Sequence, residues 1–106
     1  MDKINQFLKD NFKERMVYGE LIAENTRRLF CKDGFSISVQ ASEFHYCEPR
    51  KDKAWPYDSV ELGFPSELDD LIEEFAEEVD TTDTLYSYVP IEIVNKLIEK
   101  HGGIAE

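Results

Sequence analysis

Three residues of the kinds that ligate metals or act as nucleophiles lie in the first half of the chain. They are Cys31, His45 and Cys47, and His101 near the C-terminal end is a candidate for a fourth ligand. Structural zinc sites take four nitrogen or sulfur ligands, usually with paired CxxC or HxxxH spacing, and His45-x-Cys47 is too short for such a pair. The simpler interpretation is two buried free thiols and a histidine at a strand edge.

A cysteine–histidine pair for covalent catalysis has no stronger support. His45 and Cys47 on one strand would lie roughly 7 Å apart at ~3.4 Å per residue, which is far for a thiol–imidazole hydrogen bond. The sequence has no glycine-rich phosphate loop and no GxSxG turn. A small enzyme or metal-binding protein that uses Cys31, His45 and Cys47 therefore stands as the alternative. The favoured interpretation is a non-enzymatic protein without a cofactor.

The strongest chemical signal is a run of carboxylates in the second half of the chain. Residues 54–95 contain twelve Asp and Glu and no Lys or Arg, whereas residues 1–53 carry ten basic and nine acidic residues. Apolar residues recur at helical spacing from Leu68 to Val79, and Ser66 is a suitable N-cap, so the stretch predicts a helix with an acidic outer face. The carboxylates of this predicted face are Glu67, Asp69, Asp70, Glu73, Glu74, Glu77 and Glu78.

The charge density of this predicted face exceeds what folding requires. At ~1.5 Å per residue the face carries one charge per roughly 2.5 Å, within a factor of two of duplex DNA at ~1.7 Å. Like-charged pairs at i,i+4, such as Asp70 and Glu74, cost about 0.2–0.5 kcal/mol each. The face has two interpretations: a solvated surface that keeps the protein soluble, or a docking surface for a basic protein partner, with mimicry of nucleic acid as one version.

One basic and aromatic cluster is present, formed by Arg50, Lys51 and Lys53 beside Trp55. Cations next to aromatic rings could hold a phosphate or a base. Three charges are few for nucleic-acid affinity, however, and a solvated loop or one paired with the acidic helix is the simpler interpretation. With a net charge of −11, we expect neither direct nucleic-acid binding nor binding to an anionic membrane surface.

Length and composition indicate one folded domain that spans residues 1–106. The chain is 42% hydrophobic and 12% aromatic, which is typical of a globular protein. Its N-terminal stretch lacks the apolar core of a signal peptide, and no apolar run approaches the ~20 residues needed to cross a bilayer. With two cysteines and no export signal, the sequence predicts a cytoplasmic protein with reduced thiols.

The elements that must position these residues centre on Asp33-Gly34, a pair typical of a two-residue type I′ hairpin turn. Such a turn places Phe30 opposite Ile37. Because residues opposite each other share a face, the predicted buried face consists of Phe30, Phe35, Ile37, Val39 and Ala41. Cys31 and Leu29 fall on the other face, which is expected to be exposed to water.

The remaining patterns predict helices and strands on both sides of this hairpin. They indicate a helix over residues 3–15, strands over 57–64 and 84–89, and a last helix that begins at Pro90 and stops at Gly102. Residues 16–26 are undecided between a continued helix and a break at Gly19. The predicted order is α–β–β–β–α–β–α. This is an α+β fold with a mainly antiparallel sheet of about four strands packed against helices.

Four stretches carry a resemblance to known proteins. They are CKDGFSISVQAS followed by FHYCEPR, then YDSVELGFPS, and finally YVPIEIVNKLIEKHGG. These resemble a group of small uncharacterised proteins encoded by bacteriophages and conjugative elements of intestinal bacteria, and the resemblance spans residues 16–103. It implies no activity and no catalytic residues. It implies an accessory protein of a mobile element, so the hypothesis is a protein that binds a host or phage protein through its acidic face.

Overall fold

A computed structural model describes residues 1–25 and 27–105, and the side chains of all of these except residues 22–25. The elements are α1 (Lys3–Asn11), β1 (Phe12–Val17), β2 (Glu20–Asn25), β3 (Leu29–Phe30), β4 (Ser36–Gln40), β5 (Ser59–Gly63), a 3-10 turn (Glu73–Phe75), β6 (Leu85–Pro90) and α2 (Ile91–Lys100). The last four strands in this series form an antiparallel sheet in the order β3-β4-β5-β6, and β1 and β2 form a separate two-stranded sheet. The predicted α+β class with a four-stranded antiparallel sheet is confirmed.

The core lies between the helices and the four-stranded sheet. Strand β5 is central, and all five of its residues are buried. Its Val60 and Leu62 join Ile4 of α1 and Leu97 of α2 in one apolar cluster. Fully burying an aliphatic side chain of this size contributes about 1.5–3 kcal/mol, so the two helices are held chiefly by this shared core.

The C-terminal helix follows its sequence signals. Pro90 is the N-cap of α2, where its missing N–H leaves no helical hydrogen bond unmade. Gly102 has φ +89°, and the N–H of Gly103 donates to the carbonyl of Ile98 at 2.9 Å. A positive φ just past the helix, with a bond back to its last turn, is the usual glycine stop. The predicted start and stop of this helix are confirmed.

The N-terminal helix is shorter than its periodicity predicted. It ends at Asn11, and residues 12–25 form the β1–β2 hairpin, with Val17 opposite Glu20. Tyr18 (φ +50°) and Gly19 (φ +82°) form the turn. Positive φ at both turn residues is the type I′ pattern that suits a two-residue hairpin. The undecided residues 16–25 are therefore hairpin, and Thr26 lies outside the described residues.

Tertiary contacts explain why the chain leaves the helix after Asn11. The ring of Phe12 meets the ring of Trp55 edge-on, with centroids 5.4 Å apart. Glu14 Oε1 lies 2.8 Å from Lys53 Nζ. These contacts join the extended β1 to residues 53 and 55, and tertiary contacts here override the local helical pattern.

The register of the central hairpin differs by one residue from the predicted one. Leu29 pairs with Ile37, and Phe30 pairs with Ser36. A one-residue slip moves side chains to the opposite face of a strand. Leu29 is therefore fully buried and Phe30 is 50% exposed, so the predicted burial of Phe30 is wrong. The same slip buries Cys31, which was expected on the wet face.

The cause is the length of the turn. The N–H of Gly34 donates to the carbonyl of Cys31 at 3.0 Å, and the N–H of Cys31 donates to the carbonyl of Phe35 at 2.7 Å. Gly34 has φ +98°, whereas Asp33 does not have a positive φ. This is a three-residue loop with a glycine in the left-handed region. The two-residue type I′ turn predicted at Asp33-Gly34 is therefore wrong.

The predicted acidic helix is also wrong. In the acidic segment (residues 67–78), the only regular element is the 3-10 turn Glu73–Phe75. Ala76 forms a bridge with Tyr86, and the N–H of Glu77 donates to the carbonyl of Leu85 at 2.9 Å. Backbone groups that would continue a helix are thus paired with β6. Repulsion between like charges at i,i+4, with no intervening cation, weakens the competing helix.

In the described part of the chain, no helix combines the length and the apolar character needed to cross a membrane.

Candidate functional site

Six carboxylates of the acidic segment are presented to solvent. They are Glu67, Asp70, Glu73, Glu74, Glu77 and Glu78. Among the described residues, none of the six forms an ion pair with a cationic side chain of the same molecule. Two apolar side chains stand among or beside them, Leu68 at 53% exposure and Val79 at 64%. The segment therefore presents unneutralised negative charge together with apolar surface.

A pocket of about 180 Å³ lies within this surface. Leu68, Val79 and Tyr86 supply apolar walls, and the carboxylates of Glu73 and Glu78 are among the acidic groups that line it. A lysine or arginine side chain combines an apolar stem with a cationic head. The pocket suits such a side chain, because the stem can lie on the apolar walls while the head bonds to carboxylates.

Asp69 differs from the other carboxylates predicted for this face. Its side chain is 2% exposed and lies 2.9 Å from Nε2 of His101 and 3.1 Å from Nζ of Lys100. Its other oxygen accepts the backbone N–H of Leu71 at 3.0 Å. Asp69 therefore fixes the acidic segment to the C-terminal end of α2, and unlike the other six carboxylates its side chain is buried and paired inside the molecule, at the edge of the pocket.

His101 is held between two carboxylates. Its Nδ1 lies 2.7 Å from Oδ2 of Asp33 and its Nε2 lies 2.9 Å from Oδ2 of Asp69. The imidazole is buried and stacks on Phe35, with centroids 4.0 Å apart and an interplanar angle of 8°. Both ring nitrogens can donate only when the ring is protonated, so this geometry selects the imidazolium.

Electrostatics of this Asp33–His101–Asp69 cluster follow from the geometry. Burial disfavours the imidazolium, but the hydrogen bonds to Asp33 and Asp69 outweigh it and raise the pKa of His101 above 6.5. Burial also disfavours the Asp69 carboxylate, yet the Leu71 N–H, His101 and Lys100 lower its pKa below 3.8. The Phe35 N–H and His101 likewise lower the pKa of Asp33. The cluster ties the β3–β4 loop, the acidic segment and α2 together.

Cys31, His45 and Cys47 do not form one cluster, although His45 and Cys47 both bond to Ser42. Among the described residues, no three His, Cys, Asp or Glu side chains are grouped so that they could hold a metal ion, so Cys31, His45 and Cys47 form no such site. His45 Nδ1 lies 2.6 Å from Oγ of Ser42, whose side chain is fully buried and closed to any substrate. Cys47 donates to the carbonyl of Ser42 at 3.3 Å. The metal alternative thus receives no geometric support.

The two thiols are also poorly suited to nucleophilic catalysis. Burial and the nearby charge of Asp33 raise the pKa of Cys31 to about 11. Burial likewise raises the pKa of Cys47. A reactive cysteine needs a lowered pKa and partial exposure, and both of these residues are buried free thiols.

The predicted basic and aromatic cluster is divided between internal partners. Arg50 lies over the ring of Tyr46, 5.2 Å from its centroid, and its Nε donates to a backbone carbonyl. Lys53 pairs with Glu14, and Trp55 packs on Phe12, as described for the β1–β2 hairpin. Lys51 is exposed beside them. Lys53 and Trp55 therefore meet at the ring of Phe12, with Lys53 Nζ 5.9 Å from its centroid, whereas Arg50 is directed to Tyr46.

A larger cavity, of about 990 Å³, was not anticipated from the sequence. It is an open groove bounded by α1, by β3 and by residues 102–105 at the C-terminal end. Its lining brings together side chains from both ends of the chain, among them Lys3, Lys32 and Phe30. The Asp33–His101–Asp69 cluster was missed for the same reason, because its members lie 68 and 32 positions apart. No local sequence pattern indicates contacts between side chains that are so far apart along the chain.

Comparison of the chain with protein-family models, with curated proteins and with solved structures finds no significant match.

Proposed function

We propose that this chain is a non-enzymatic, cytoplasmic binding protein whose acidic segment docks a basic protein partner, as an accessory protein of a mobile genetic element. The observation that carries the proposal is the set of six exposed carboxylates without internal cations. A chain that used its negative charge only to fold would pair these groups internally, as it pairs Asp69. The pocket between Leu68 and Val79 gives the surface a place for a cationic side chain.

The free energy that the exposed carboxylates can contribute is too small to give micromolar binding of the partner by charge alone. Exposed ion pairs contribute about 0.2–1 kcal/mol each, so six of them supply at most ~6 kcal/mol. A micromolar dissociation constant corresponds to about 8 kcal/mol. Apolar contact at the exposed Leu68 and Val79 has to supply the difference. The expected partner therefore presents a segment in which basic and apolar residues are mixed, and long-range attraction speeds its association.

The proposal is tested with a fluorescently labelled peptide that contains lysines and leucines, titrated with the full chain and followed by anisotropy. We expect reversal of four acidic-segment carboxylates to weaken binding by at least about tenfold, or ~1.4 kcal/mol. The variant is Glu73→Lys, Glu74→Lys, Glu77→Lys and Glu78→Lys. Circular dichroism and urea unfolding check that it remains folded.

A matched control separates the acidic segment from net charge. It carries four reversals at exposed carboxylates elsewhere, Glu20→Lys, Glu43→Lys, Glu92→Lys and Glu99→Lys. Its net charge equals that of the test variant, and it should retain most of the affinity for the peptide. If both variants lose affinity equally, overall charge governs binding and the docking surface is refuted.

A further inference from the structure

The 990 Å³ groove bounded by α1, β3 and the C-terminal residues is cationic in a chain whose net charge is −11. Among the described residues that line it, four are charged, and three of these are basic: Lys3, Arg27 and Lys32, against one carboxylate, that of Asp10. All four are exposed. Among the described residues, the side chains of Lys3 and Lys32 form no ion pair within the molecule. The groove is thus suited to an anionic occupant.

The floor of the groove adds apolar surface. The register of β3 turns Phe30 outward, where half of its side chain remains exposed. The C-terminal residues beside Phe30 are held by backbone hydrogen bonds. Cys31 and Ile104 form an antiparallel β-bridge, and the N–H of Ala105 donates to the carbonyl of Phe30 at 2.8 Å. A fixed backbone with an exposed aromatic ring and flanking lysines fits a peptide segment that is both acidic and apolar. An open groove of this kind suits a polypeptide better than a small molecule that must be enclosed.

The chain itself carries a surface of that chemistry in its acidic segment, with Leu68 and Val79 exposed among or beside its carboxylates. The groove and the acidic segment adjoin the same cluster. Lys32 and Gly102 line the groove, and their chain neighbours Asp33 and His101 bond to each other. His101 in turn bonds to Asp69 of the acidic segment. A two-fold axis beside this cluster would place the acidic segment of each copy against the groove of the other.

We propose that the groove binds the acidic segment of a second copy of this chain and forms a closed two-fold dimer. The inference rests on the proposed function, because it names the groove of a second copy as one basic partner of the acidic segment. Two complementary patches on one surface close at two copies when they face each other across a two-fold axis. Net negative charge opposes the approach of two copies, but beyond ~8 Å this repulsion is screened at physiological ionic strength.

Sedimentation equilibrium of the full chain over a wide concentration range tests the proposal. We expect the mass to rise from 12.4 kDa for one copy to twice that value. Lys3→Glu with Lys32→Glu should weaken the dimer by at least about tenfold, and so should Glu73→Lys with Glu74→Lys. A control with Lys9→Glu and Lys96→Glu makes the same change in net charge at exposed lysines outside the groove. This control should not weaken the dimer.

Mixing the two reversed variants gives the sharpest result. The groove of the first is then acidic and the acidic segment of the second is basic, so a mixed dimer regains both complementary contacts. We expect the mixture to associate more tightly than either variant alone. A mixture that stays monomeric, or a dimer that survives the groove reversal, overturns the proposal. A wild-type chain that stays monomeric but still binds the basic peptide also overturns the dimer, and leaves the proposed function intact.

Discussion

Replacement of His101 by glutamine is the most informative single change in the Asp33–His101–Asp69 cluster. The substitution removes a cation that lies within 2.9 Å of two carboxylates. The His101–Asp69 pair is buried, and breaking a buried ion pair by removing one partner costs about 3–5 kcal/mol, whereas the Asp33 side chain is 46% exposed and its pair contributes less. The Asp69 side chain is 2% exposed, but Lys100 and the Leu71 N–H still bind it. We therefore expect His101→Gln to cost ~3 kcal/mol near pH 6.

The pH dependence supplies the signature of the cation. The pKa of His101 is raised above 6.5 in the folded chain, so its stabilisation is fully present below pH 6.5 and is lost as the pH rises through the raised value. The pKa values of Asp33 and Asp69 are lowered below 3.8, so their contribution is present above pH 3.8 and is lost as the pH falls through the lowered values. The cost of His101→Gln should therefore be largest between these limits and shrink at alkaline pH.

Urea unfolding of the wild type and the variant at about pH 6 and about pH 9 measures the cost of His101→Gln at each pH. The cost is taken from the shift of the unfolding midpoint at constant slope. His45→Gln serves as the matched control, because His45 is only partly buried and its Nδ1 lies 2.6 Å from the hydroxyl oxygen of Ser42. A loss below ~1 kcal/mol at the lower pH, or a loss that does not change with pH, would refute the charged cluster. A double-mutant cycle with Asp69→Asn then isolates the coupling between the two side chains.

Three further predictions test the central hairpin and the strand β5 that pairs with it. Leu29→Ala should cost about 2–5 kcal/mol, because Leu29 is fully buried, whereas Phe30→Ala should cost less than about 1 kcal/mol because Phe30 is half exposed; equal losses in urea unfolding would contradict the observed register. Gly34→Val should cost on the order of 1–3 kcal/mol through strain at φ +98°, since no atom within 4 Å would meet a new Cβ. Gly63→Ala should also destabilise the chain, because its Cβ would lie 2.9 Å from a leucine methyl. Thermal or urea unfolding that leaves the Gly34 variant unchanged would exclude the positive φ.

Predictions from the sequence were most reliable where local signals and tertiary structure agree. Alternation around Val60 and Leu62 identified the central strand, and Pro90 and Gly102 marked the two ends of the last helix. In these places the local preference of the apolar residues agrees with the packing of the core, although Glu61 of the same strand is buried too. Fold class followed from these elements, even though one predicted helix does not exist.

Failures occurred where two local patterns compete closely. The Asp33-Gly34 pair suits a two-residue turn. The same two residues can also end a three-residue loop with the glycine in last position, and that loop shifts the strand register by one residue. The type I′ turn lies instead at Tyr18-Gly19, a pair without Asn or Asp in the first position. Turn length could not be read from the sequence, because Leu29 and Phe30 are both apolar and either could have filled the core.

The acidic segment shows why a charge pattern predicted a surface better than it predicted a conformation. Apolar spacing indicated a helix, yet the backbone of Ala76 and Glu77 pairs with β6, and Asp69 is drawn inward by Lys100 and His101. Of the seven carboxylates in the segment, the chain thus neutralises one, and it does so with two cations from the end of α2. The other six are exposed without internal cations. Because Asp69 and the backbone bonds of Ala76 and Glu77 hold the segment in place, we expect the charge of the other six to act in solubility or in binding. The reversal experiments distinguish these two, since solubility depends on net charge whereas docking depends on where the charge lies.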